Sequence, residues 1–245
     1  FFMKRSAYYR NLHHPETKFF QPKNSKGEWI LPFDPYKYGA NGGYPFTEGN
    51  GWQYTFFAPQ DPYGLIALFG GDKPFTTKLD GFFTNTDSMG EGASSDITGL
   101  IGQYAHGNEP SHHVAYLYAY AGEQWKTAEK VRFIMSDFYT DQPDGIIGNE
   151  DCGQMSAWYV MSALGFYQVS PGIPVYTLGR PMVNKASMHV KGGIFEIVAT
   201  NNNPANKYVK EVKLNGKVLE TPFISHSDII NGGKLEFIMT DQPVK

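Results

Sequence analysis

Three short stretches gather carboxylates, carboxamides and glycines. They are Tyr44-Pro45-Phe46-Thr47-Glu48-Gly49-Asn50, His106-Gly107-Asn108-Glu109-Pro110-Ser111-His112-His113, and Asp144-Gly145-Ile146-Ile147-Gly148-Asn149-Glu150-Asp151-Cys152-Gly153-Gln154. Each closes a loop and leads into a helical pattern. An Asn, Asp or Ser there is an ordinary N-cap, and a Glu in a first turn suits the helix dipole. One such motif alone reads as capping. Three of them, holding Glu48, Glu109, Glu150 and Asp151 in a chain with only 18% charged residues, read as carboxylates kept for a use. Two carboxyl groups suffice for glycoside hydrolysis, one protonated as acid and the other ionised as base or nucleophile. Oxygen-rich loops also suit calcium, which takes carboxylate and amide oxygens in a flexible shell.

Other chemistries fail on the letters. Thr140 to Asp151 imitates an EF-hand loop, but Thr140 and Gln142 stand where acidic ligands belong, and Asp151 rather than Glu closes it. HExxH, GxxxxGK[ST], GxSxG and GxGxxG are all absent. His112 and His113 are adjacent, so on a helix they would point about 100° apart, which disfavours a two-histidine metal site. Cys152, the only cysteine, leads an apolar stretch and reads as a small packed hydrophobe. Trp52, close to Glu48, has two open readings: a platform for a sugar ring, or interior packing.

The elements that must position these residues follow from periodicity. Asp61-Pro62 starts a helix that Gly70-Gly71 ends, and Pro74 opens another with Phe75, Leu79, Phe82 and Phe83 on one face. Val114, Leu117, Tyr118 and Ala121 form a stripe, and Trp125 to Phe138 carry a second, so a short link predicts an αα-hairpin. QMSAWYVMSALGF is apolar all round and predicts a helix of an inner layer. From about residue 174 the pattern changes to strands, with hairpins at Gly192-Gly193 and Asn215-Gly216. The long loops at 20–50 and 86–110 are places for a polar pocket.

Composition narrows the partners. The 245 residues carry a net charge of −3, which leaves no basic footprint for nucleic acid or an anionic membrane surface. No run of about 18 apolar residues exists to span a bilayer. Phe1 opens directly into a helical pattern, which suggests a piece of a longer chain.

FTEGNGWQYTFFAPQDPYGLIALFGG, HGNEPSHHVAYLYAYAG and PDGIIGNEDCGQMSAWYVMSALGFYQVSPGIPVYTLGRP closely resemble glycoside hydrolase family 92, the calcium-dependent exo-acting α-mannosidases of gut and environmental bacteria. The resemblance runs nearly end to end but covers only the C-terminal part of the family's length. It implies an α+β fold: the second half of an (α/α)6 toroid over residues 1–170, then a C-terminal antiparallel β-sheet or sandwich over 171–245. It implies an inverting reaction, with Glu48 resembling the general acid and Asp151 the general base. Ca2+ is the implied cofactor, with Glu150 and Asn108 as candidate ligands. Trp52, His106, Glu109, His113 and Asn149 would form the mannose subsite; at Asn149 some relatives carry Asp, and at Gln60 many carry His. The implied activity is release of mannose, α-1,2-linked in the first instance, from mannan or N-glycan chains by a periplasmic or secreted enzyme. The competing reading is an inactive or carbohydrate-binding fragment, which the missing N-terminal half of the parent chain or a second copy would complete.

Overall fold

The computed structural model describes residues 1–38, 45–87 and 93–244; Tyr44 of the first cluster lies outside them. The chain forms two compact units, Phe1–Val114 with Ile147–Asn149, and Ala115–Ile146 with Glu150–Lys245.

The first unit is helical. It holds α1 (Phe2–Ser6), α2 (Gly51–Thr55), α3 (Pro62–Phe69), α4 (Asp72–Thr84) and a small antiparallel hairpin of β1 (Leu100–Ile101) and β2 (Tyr104–Ala105). α3 starts as its letters predict: Asp61 Oδ1 accepts the Gly64 N–H at 3.0 Å, Pro62 takes the first turn, and Gly70 stops the helix in the left-handed region. α4 buries Phe75, Leu79, Phe82 and Phe83. Around Phe56 the rings of Phe69, Phe75 and Phe82 lie 6.2, 5.9 and 5.0 Å away, an aromatic core in the geometry such rings prefer. The returning segment Ile147–Asn149 packs closely here. A Cβ on Gly107 or on Gly148 would collide with Thr98 Oγ1, so both positions must be glycine for the strands of chain to meet.

The second unit carries α5 (Leu117–Tyr120), α6 (Gln124–Asp137), α7 (Gln154–Leu164), α8 (His226–Ile230) and eight strands. The helix expected from Val114 begins as a 3-10 turn and becomes α-helical only at Leu117. α6 follows at once and packs on α5, with Thr127 Oγ1 donating to the Ala115 carbonyl at 2.9 Å. β3 (Phe166–Tyr167), β4 (Val175–Leu178) and β9 (Phe223–Ser225) form one sheet. β5 (Lys185–Val190), β6 (Gly193–Thr200), β10 (Gly233–Thr240), β7 (Tyr208–Leu214) and β8 (Lys217–Val218) form the other, in that order. Phe166, Leu178 and Ile224 of the first sheet share one core with Phe195, Ile197, Leu235 and Phe237 of the second.

Three expectations change. The larger sheet is mixed rather than antiparallel, because β10 inserts between β6 and β7 and runs parallel to β6. A parallel pair needs a long crossover, and the chain from β7 to α8 supplies it. The textural boundary at 170/171 falls inside the second unit: Met161 and Leu164 of α7 pack on the same core as the strands, so helix gives way to strand without a break in packing. Gly165 makes that junction, left-handed at φ +97°, where a Cβ would come within 2.9 Å of the Phe237 ring. Finally, α7 is buried on one side only. Met155, Trp158 and Ser162 face inward, while Val160 is 56% exposed.

Candidate active site

The carboxylates lie on both units. Glu48, Trp52, His106, Asn108, Glu109, His113 and Asn149 belong to the first, Glu150 and Asp151 to the second.

In the first unit the Glu48 loop is held firmly from its own backbone. The Glu48 N–H donates to the Tyr54 hydroxyl at 3.3 Å, and Asn108 Nδ2 donates to the Glu48 carbonyl at 3.0 Å. Directly after it, Asn50 and Gln53 close a capping box on α2. Asn50 Nδ2 donates to Gln103 Oε1 and Gln53 Nε2 to the Gln103 carbonyl, both at 3.1 Å and all buried. A satisfied buried carboxamide network of this kind rigidifies what it holds. Capping is thus the role of Asn50, and Glu48 is left half-buried, its carboxylate without a side-chain partner among the described residues. Burial, with the nearby Glu48 charge adding to it, raises the Tyr54 pKa and keeps that hydroxyl neutral. Tyr54, Gln53 and Gln103 escaped the sequence reading; the i, i+3 spacing of Asn50 and Gln53 was the one signal available.

The second cluster divides. Glu109 is exposed, and Asn108 spends its amide on the Glu48 loop rather than on capping the turn that follows. His106 and His113 are interior groups: His106 Nδ1 lies 2.8 Å from the Tyr104 hydroxyl, and His113 Nε2 2.9 Å from the Phe56 carbonyl. Trp52 sits edge-on to Phe19 at 4.9 Å, and Asn149 donates to Asp96 Oδ1 at 2.9 Å.

Burial moves the His113 pKa down from 6.5 to about 4, and His106 shifts the same way for the same first reason. Between those values the unfolded chain binds more protons than the folded one, so stability falls as pH drops from 6.5 towards 4. We expect a melting temperature clearly lower at pH 5 than at pH 7, with a flatter dependence in His113→Gln. An unchanged melting temperature over that interval would contradict it.

In the second unit, Asp151, Cys152 and Gly153 run in the left-handed region at φ +53°, +58° and +97° before α7 begins. This unusual turn puts Asp151 and Cys152 outside the helix and exposed, so Cys152 is not the packed hydrophobe expected. The side chain that caps α7 is Glu150, which accepts the N–H groups of Gly153 and, at 3.1 Å, Ser156. Hydrogen bonds from Ser156, first its side chain and then its backbone, lower the Glu150 pKa. The Asp151 carboxylate has no hydrogen bond or ion pair among the described residues.

For calcium, Glu150 is an ionised, fixed carboxylate with lone pairs to spare, as an oxygen-seeking cation requires. It is a single ligand. Among the described residues no three His, Cys, Asp or Glu side chains converge into a metal-binding group.

A family GH92 alpha-mannosidase of Bacteroides thetaiotaomicron, solved with mannoimidazole, matches 99% of the chain at 42% identity with a TM-score of 0.91. A family GH92 inverting mannosidase from the same organism matches 98% at 37% identity and TM-score 0.85. An uncharacterized secreted glycosidase of the fungus Arthroderma benhamiae is 29% identical over 90% of the chain. The chain spans 32% and 33% of the two bacterial proteins and 28% of the fungal one. Matched over residues 1–241 by the glycosyl hydrolase family 92 catalytic domain, the chain belongs to that family.

Proposed function

We propose that the protein is an inverting, exo-acting α-mannosidase in which Glu48 is the general acid and Asp151 the general base. The observation that carries this is the state of Glu48: a half-buried carboxyl, free of side-chain partners among the described residues, on a loop tied down by Tyr54 and Asn108. Similarity to relatives described as α-mannosidase and inverting mannosidase supports it.

Glu48, protonated, gives its proton to the glycosidic oxygen as the bond to the anomeric carbon breaks. Asp151, ionised, takes a proton from the water that attacks that carbon from the opposite face, so the anomeric configuration inverts. The two carboxyl groups of an inverting enzyme stand roughly 6.5–9.5 Å apart to admit that water. We further propose α-1,2-linked mannose as the preferred substrate and Ca2+ as cofactor, with Glu150 as one ligand and Asn108 as a second candidate; the ion would polarise sugar hydroxyls. Export from the cell is proposed by likeness to the secreted fungal relative.

The test is proton NMR of α-1,2-mannobiose with the intact protein, run beside the α-1,3 and α-1,6 isomers. β-Mannose is expected first, fastest from the α-1,2 linkage, and to stop on chelation and resume on adding Ca2+. Early α-mannose would refute inversion, and turnover unaffected by chelation would refute the calcium requirement alone.

A further inference from the structure

One cleft of the first unit is not lined by the carboxylate clusters. It encloses about 560 Å³ beside α4, and Thr17, Lys18, Trp52, Lys73, Thr77 and Lys78 line it with no acidic side chain. Lys78 is half-buried there, its Nζ 3.3 Å from the centroid of the Phe19 ring and 4.1 Å from that of Trp52. The ring faces attract the charge, but they accept few of its three N–H bonds. Among the described residues Lys78 has no carboxylate or carbonyl partner. The indole Nε1–H of Trp52 is likewise buried and without an acceptor. Lys78 and Trp52, each with a donor short of acceptors, thus line one cleft. Buried donors are costly to leave unpaired, and what they lack is an oxygen acceptor, best a charged one. Trp52 also gives the cleft an indole surface, on which the apolar face of a ring can lie.

We infer that this cleft is a binding site for a small acidic sugar, a ring bearing a phosphate or carboxylate, with Lys78 taking the oxyanion and Trp52 the ring. The inference does not depend on the hydrolase reading, although the resemblance gives Trp52 to the mannose subsite. Burial lowers the Lys78 pKa to about 8, which leaves the ammonium charged at neutral pH, and a bound anion would raise it again. Lys18 also lines the cleft and adds to the positive field.

The test titrates the intact protein by calorimetry with inorganic phosphate, glucose 6-phosphate, glucuronate and neutral glucose at matched ionic strength. Saturable binding of at least one acidic sugar, tighter than inorganic phosphate, is expected, with none for glucose. Preference between glucose 6-phosphate and glucuronate tells phosphate from carboxylate. Lys78→Gln is expected to weaken binding at least about tenfold, the loss of one charge-assisted hydrogen bond, and Lys78→Arg to retain part of it. As a readout that needs no variant, acetylation of Lys78 with acetic anhydride at pH 8 should slow with the bound sugar while other lysines react as before. Absence of saturable binding, equal binding by Lys78→Gln, or uniform protection of all lysines would overturn the proposal.

Discussion

Glu48→Gln is expected to lower kcat on α-1,2-mannobiose by about 10²–10⁴-fold, the range that general acid catalysis contributes. The variant tests chemistry with little structural disturbance. The Glu48 backbone carries the contacts that hold the loop, through Tyr54 and Asn108, and among the described residues its carboxylate has no side-chain partner to lose. The melting temperature should therefore stay within a degree or two of the parent. Leaving-group dependence gives the sharper reading. An aryl mannoside with an acidic phenol departs without a proton, so on that substrate the variant should keep much of its rate. The basic limb of the pH–rate profile, which reports ionisation of the acid, should disappear with it. A fall that is equal on both substrates would mean that Glu48 positions the sugar and does not protonate it.

What could be read from the sequence followed from local rules. Asn215-Gly216 turns β7 into β8 with both residues at positive φ, as that dipeptide predicts, and Gly192-Gly193 joins β5 to β6. Asp61-Pro62 and Gly70 bound α3 by the same kind of short-range chemistry. The insertion of β10 between β6 and β7 was hidden because an alternating strand declares its faces and not its neighbours. α7 misled for a related reason. Its apolar ring states what the helix can bury and says nothing of how much protein stands on each side of it.

Within the three clusters the letters did not declare which residue does what. Capping was a real role within the clusters, but Asn50 and Glu150 perform it, and that assignment depended on backbone N–H groups no spacing reveals. Gln103 supports α2 from fifty residues away, beyond the reach of any periodicity argument. The histidines of HGNEPSHH drew attention as polar residues in a loop motif, yet burial and contacts to Tyr104 and the Phe56 carbonyl make His106 and His113 part of the interior.

Asp151→Asn is expected to cost as much as the acid variant, about 10²–10⁴-fold in kcat, but with a different signature. Asp151 sits at φ +53°, a region Asn tolerates better than other non-glycine residues, so the amide keeps the turn before α7 and loses only the base. Asp151→Ala should show the same kinetic loss together with a stability cost of about 1–2 kcal/mol, because Ala does not share that tolerance. Comparing the two variants separates the turn from the chemistry. The base acts on the attacking water, whatever group departs, so Asp151→Asn should be slowed alike on mannobiose and on the activated aryl mannoside. It should also lose the acidic limb of the pH profile where Glu48→Gln loses the basic one. Retention of more than about a third of the parental rate in Asp151→Asn, far above what loss of a general base leaves, would remove Asp151 from the base role and turn attention to Glu109, another exposed carboxylate of the clusters.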